Sequence, residues 1–99
     1  MKGIITQINK AFESRQRLGI MSLLMVNEKI DFNTMKELLQ LTDGNLATHI
    51  AALEKSNYLS VKKGFLGKKT NTTYTATAAG KKAFKEHLNA LEKLIKSNR

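Results

Sequence analysis

The 99-residue chain contains no cysteine and no proline. Without cysteine, disulfides, thiol redox sensing and thiolate metal sites are all excluded. No glycine- or serine-rich linker divides the chain, and no repeat or low-complexity segment appears, so one small domain over 1–99 is expected, with a single core. A long apolar run is also missing. The longest, Ile20 to Val26, is interrupted by Ser22 and falls far short of the roughly 20 residues a bilayer span needs. The first twelve residues carry Lys2 and Lys10 around polar Thr6, Gln7 and Asn9, which does not read as a signal peptide. A cytoplasmic protein with no membrane partner is the expectation.

Acidic residues are scarce in one half only. Up to Glu54, six basic residues are cancelled by six acidic ones, so the net charge of +9 lies entirely beyond it. There Lys55, Lys62, Lys63, Lys68, Lys69, Lys81, Lys82, Lys85, Lys93, Lys96 and Arg99 face only Glu86 and Glu92. Such asymmetry points to a polyanion-binding surface or to an ordinary solvated basic face. No Ser/His/Asp set, paired-carboxylate site or phosphate-binding glycine loop is visible, so no enzyme is expected. His87 beside Glu86 offers too few ligands for a metal site. No cofactor is predicted.

What is present follows helical and strand periods in turn. Ile4, Ile5, Ile8, Ala11 and Phe12 mark a first amphipathic helix. Ser14 reads as the N-cap of a second, striped by Leu18, Met21, Leu24 and Met25. Ile30-Asp31-Phe32 reads as a very short strand, with Asn33 capping a third helix over 34–41 whose Met35, Leu38 and Leu39 point inward. A turn at Thr42 to Gly44 opens a fourth helix. Its Leu46, Ile50 and Leu53 share one stripe, and His49 sits at that stripe's edge in a hydrogen-bonded packing role. Tyr58 to Thr77 reads as a β-hairpin whose tip is bracketed by Gly64 and Gly67, and a last helix runs over 78–96. The predicted fold class is mainly α with a small β-hairpin. A helix-turn-helix over 33–56 is followed by a wing over 58–77.

The outer face of the fourth helix is unusual for a solvated one. Gly44, Asn45, Thr48, Ala51 and Ala52, ending in Lys55, replace the Glu, Lys and Gln that water-facing positions favour, which suggests close approach to a partner. The DNA major groove fits. Asn45 suits an adenine edge, Thr48 a base or phosphate, and Ala51 or Ala52 a thymine methyl. Asn45 also fits a second role as a cap or turn residue, since Asp43 and Asn45 flank Gly44. Lys62, Lys63, Lys68 and Lys69 on the hairpin would meet phosphate or the minor groove, or else keep an exposed hairpin soluble. Phe65 and Leu66 would pack on the hairpin stem or a partner subunit, or touch a membrane.

Arg17-Leu18-Gly19-Ile20-Met21, Leu41-Thr42-Asp43-Gly44-Asn45-Leu46, His49, Leu53-Glu54, Lys63-Gly64-Phe65 and Thr77-Ala78-Ala79-Gly80 together resemble the small stand-alone winged-helix family related to MarR-type and ArsR-type transcriptional regulators. The resemblance covers nearly the whole chain. It implies a dimeric, double-stranded-DNA-binding regulator with the helix after Thr42 as recognition helix. Family members often carry a basic residue where this chain has Thr48, Ala51 or Ala52, which weakens the expected base readout. The terminal helices would form a homodimer. Phe84, His87, Leu88, Leu91, Leu94 and Ile95 make one seam, joined by Ile4, Ile5, Ile8 and Phe12; the alternative folds both helices back on their own core. A repressor is the expected role, with an interaction module binding protein or RNA as the alternative. The small-molecule effector is unspecified.

Overall fold

In the computed structural model, which describes residues 2–97, the elements run α1 (Lys2–Gln7), a 3₁₀ turn (Lys10–Phe12), α2 (Arg15–Val26), β1 (Ile30–Asp31), α3 (Phe32–Leu39), α4 (Asp43–Lys55), β2 (Leu59–Leu66), β3 (Lys69–Ala76) and α5 (Ala78–Ser97). Arg99, counted in the basic half, lies outside the described residues. β2 and β3 form the hairpin from Leu59↔Ala76 to Leu66↔Lys69, and β1 adds to β3 through Ile30↔Tyr74 and Asp31↔Thr73. The sheet order is β1-β3-β2.

Local chemistry sets the boundaries. The Ser14 hydroxyl accepts the Arg17 N–H and starts α2; the Thr42 hydroxyl accepts the Asn45 N–H and starts α4, each satisfying one of the unpaired amides of a helix start. Helix α3 ends on Gln40 with φ 54°, and Leu41 N–H returns to the Lys36 carbonyl at 3.1 Å. Helix α4 ends similarly. Asn57 takes φ 62° and Tyr58 N–H reaches the Leu53 carbonyl at 2.9 Å, a left-handed stop that asparagine tolerates better than most residues.

One core joins these elements: Ile20, Met21 and Leu24 of α2, Met35 of α3, Leu46, Ile50 and Leu53 of α4, Leu59 and Tyr74 of the sheet, and Phe12 and Phe84 from the two ends of the chain. Glycine permits two close approaches. At Gly19 an added Cβ meets only the mobile end of Leu39, whereas at Gly80 it meets the Tyr58 backbone, its carbonyl carbon at 2.8 Å.

Four expectations are corrected. The first helix does not continue to Phe12: it ends at Gln7, and the Asn9 side chain accepts the Ala11 N–H at 2.9 Å to start the 3₁₀ turn. Asn33 is no cap, because the chain passes straight from the β1–β3 pairing at Asp31 into α3 and leaves Asn33 inside the first turn. Leu38 does not point inward but is 60% exposed. Phe12, Phe84 and His87 do not lie on an outer seam. They are buried in the chain's own interior, with Phe12 edge-on to Phe84 and to His87 at centroid distances of 5.2 and 5.4 Å.

His87 is a junction within that interior. Its Nδ1 accepts the Asn9 backbone N–H at 3.0 Å, while the Asn9 side-chain amide donates to the Tyr58 hydroxyl at 3.0 Å. Burial holds the His87 pKa below its ordinary 6.5, against a weaker opposing pull from Glu13. A base with a depressed folded-state pKa favours folding fully above its unfolded pKa, and that stability is lost as pH falls toward the folded value. Unfolding free energy is therefore expected to decline as pH falls below about 6.5, where the unfolded imidazole takes up its proton first. Urea titrations across that range check it. In His87→Gln, which can still accept the Asn9 N–H but does not titrate, the decline should shrink.

Candidate nucleic-acid interface

Helix α4 buries Leu46, Ile50 and Leu53, which turns Gly44, Asn45, Thr48, Ala51 and Lys55 outward as exposed residues with Ala52 half-buried beside them. The Asn45 backbone N–H is taken by Thr42, but its side-chain amide makes no hydrogen bond among the described residues. Capping is thus done by Thr42, and both amide atoms of Asn45 face solvent near the helix start. The Thr48 hydroxyl donates to the Gly44 carbonyl at 2.8 Å, leaving its oxygen free to accept. The positive end of the helix dipole lies at the same end. Asp43 would oppose an anion there, and the Lys36 ammonium pairs with it at 2.8 Å.

Two supports escaped the sequence reading. Arg17 Nε donates to His49 Nδ1 at 3.1 Å, tying α2 to the flank of α4, and burial with the Arg17 charge holds the His49 pKa below its ordinary 6.5. Lys36 is the second, through Asp43. Opposite charges bracketing the turn between α3 and α4 were a usable signal for that pair; nothing local marks Arg17 as the partner of His49.

The wing presents Lys62, Lys63, Lys68 and Lys69, all exposed. Its two-residue turn puts φ +64° on Gly67 and leaves Lys68 outside the positive-φ residues, the pattern of a type II′ turn that suits the right-handed twist of a hairpin. The hydroxyls of Ser60 and Thr75 meet across the strands at 2.7 Å.

At the far end of the molecule, α1 packs along α5. Leu88, Leu91 and Ile95 stay 45%, 36% and 64% exposed, Ile5 is 56% exposed, and Ile4, Ile8 and Leu94 are half-buried. With Phe12, Phe84 and His87 turned inward, the outward stripe is narrower than the sequence spacing implies. No helix among the described residues is long and apolar enough to cross a membrane.

A family model described as a winged helix DNA-binding domain matches residues 16–95. A protein of Methanocaldococcus jannaschii whose name records it as uncharacterised is 36% identical over 88 residues, which cover 89% of this chain and 96% of that one. Among solved structures, a transcriptional regulator homologue from Pyrococcus horikoshii is 29% identical with a TM-score of 0.85, over 97% of this chain and 93% of the other. The YusO protein of Bacillus subtilis, 14% identical with a TM-score of 0.75 over 98% of this chain and 71% of its own, shares the fold. With α4 following the turn after α3, the β2–β3 wing and the long α5 all in place, this chain belongs to the winged-helix DNA-binding domain family.

Proposed function

We propose that the protein is a homodimeric, sequence-specific regulator of transcription that binds double-stranded DNA and represses by occluding a promoter. The observation that carries the reading is the outward face of α4: small, polar and unused by the fold, with an uncommitted Asn45 amide beside a helix start whose acidic residue is neutralised. In this reading α4 enters the major groove, Asn45 and Thr48 contact bases, Ala51 and Ala52 allow close approach, and Lys55 meets phosphate. The wing lysines add contacts to the flanking backbone. The exposed Leu88, Leu91 and Ile95 pair around a two-fold axis and space two α4 helices for an inverted repeat. Catalysis has no part in it.

Salt titrations of duplex binding test this. Lys68→Ala with Lys69→Ala is expected to weaken binding to preferred and random duplexes alike and to flatten the log-log salt slope by up to about two units, since each neutralised phosphate contributes roughly −0.9. Unchanged affinity and slope would remove the wing from the interface. Asn45→Ala or Thr48→Ala should instead cost on the order of 1 to 3 kcal/mol on the preferred site and little on random DNA. Equal losses on both would reduce these residues to backbone contacts, and a preference for single-stranded RNA over duplex would replace the reading with an interaction module.

A further inference from the structure

The outer half of the wing is a free-standing arm. Among the described residues strand β1 pairs only with Tyr74 and Thr73, so beyond Lys62↔Thr73 the hairpin is two-stranded for the four pairs from Lys63↔Thr72 to Leu66↔Lys69. At about 3.3 Å per residue it reaches roughly 13 Å past the three-stranded body. Alternation places Leu59, Val61, Lys63 and Phe65 on one face. Leu59 is buried and Val61 packs on the core, but Phe65 is 76% exposed.

The surroundings of Phe65 are polar. A shallow depression of about 340 Å³ beside it is lined by Lys63, Gly64, Thr70 and Thr72, and Phe65 forms no ring pair with the aromatic residues described. Leu66 is different. It turns to the opposite face, over a groove it shares with Ile30 and Leu38. Phe65 is thus an apolar ring carried out on an arm with three lysines, Lys63, Lys68 and Lys69, and Lys62 at its base, in a stretch without an acidic residue between Glu54 and Glu86.

We propose that Phe65 is a wedge that enters a base step from the minor groove and kinks the duplex, with Lys62, Lys63, Lys68 and Lys69 holding the phosphates on either side. The charge of the arm selects a polyanion. In a duplex the most extensive apolar surface open to a flat ring lies between stacked bases, and opening a flexible pyrimidine–purine step from the minor groove exposes it. This rests on the DNA-binding reading and adds deformation to it.

The test uses the full chain and a duplex of about 30 base pairs with a central TpA step, carrying 2-aminopurine at that step and a fluorophore pair at its ends. Wild type is expected to raise the 2-aminopurine signal several-fold and to bend the duplex by about 20° or more. Phe65→Ala should abolish both while keeping the salt slope and the unfolding midpoint, because the ring lies outside the core; Phe65→Leu should keep part of the kink. Tight duplex binding without a kink, or a kink that persists in Phe65→Ala, overturns the wedge and leaves DNA binding intact. Failure to bind duplex overturns both readings. Phe65-dependent partition onto vesicles of phosphatidylserine and phosphatidylcholine, with no kink, reassigns the ring to a lipid surface and overturns the wedge.

Discussion

Replacing Leu88 and Leu91 with Asp is expected to convert the protein into a folded monomer with greatly reduced DNA affinity. Both side chains are partly exposed on α5, at 45% and 36%, and the buried members of that helix, Phe84, His87 and Ala90, point elsewhere. The fold therefore retains its interior. Each aliphatic side chain buried between subunits contributes roughly 1.5 to 3 kcal/mol, and a two-fold axis counts each substitution twice. A micromolar dimer holds only about 8 kcal/mol, so four charges on the seam exceed what the remaining contacts can offset. Light scattering coupled to size separation should give monomer mass for the variant and dimer mass for wild type. Loss of one half-site contact should weaken binding to an inverted repeat spaced at about 34 Å by on the order of 100-fold or more. A wild-type monomer at micromolar concentration, or a variant that keeps dimer mass and full affinity, would refute this seam.

Gly80→Ala is expected to be the most damaging single methyl group in the chain. A Cβ there stands against the Tyr58 carbonyl, with its carbon at 2.8 Å and Cα at 2.9 Å. That carbonyl already accepts the Thr77 N–H at 3.1 Å, and the Thr77 hydroxyl accepts the Gly80 N–H at 2.9 Å. Neither side can yield without breaking the start of α5. The neighbour is backbone rather than a movable side-chain tip, so the cost belongs at or above the upper end of overpacking, about 3 kcal/mol or more. Gly19→Ala makes the control. Its Cβ meets Leu39 Cδ2 at 2.9 Å, a rotatable end, and a gain of about 1 kcal/mol in helix propensity works against the crowding. Urea unfolding of the two variants should separate them by more than about 2 kcal/mol. A Gly80→Ala protein as stable as Gly19→Ala would show that the α5 start relaxes freely.

The elements with a strong local period were legible in the sequence. The Leu46, Ile50, Leu53 stripe buries as spaced, Ser14 caps α2, and the alternating Thr and Tyr of 70–75 pair with β2, with Thr77 just beyond the strand. What escaped was decided at long range. The apolar spacing from Ile4 to Phe12 is continuous, yet Asn9 breaks the helix because its backbone and side chain are drawn to His87 and Tyr58, 78 and 49 positions away. Helical spacing likewise marks Phe84, His87, Leu88 and Leu91 as one seam without saying which members a neighbouring 3₁₀ turn will cover. Phe12 covers the first two. At the candidate interface the outward residue types could be read directly, whereas the bond from Arg17 that steadies α4 spans 32 positions and has no local trace.

The way α4 is anchored has a further consequence for how such a surface changes over time. Its start is held by Thr42 and by Lys36 through Asp43, its flank by Arg17, and its inner stripe by the core. None of these anchors uses the side chain of Asn45, Thr48, Ala51 or Lys55; Asn45 contributes only its backbone N–H, to Thr42. Substitutions at those four positions that keep the helical backbone therefore leave each of these anchors in place, and drift there can alter the outward face one side chain at a time at little cost to the fold.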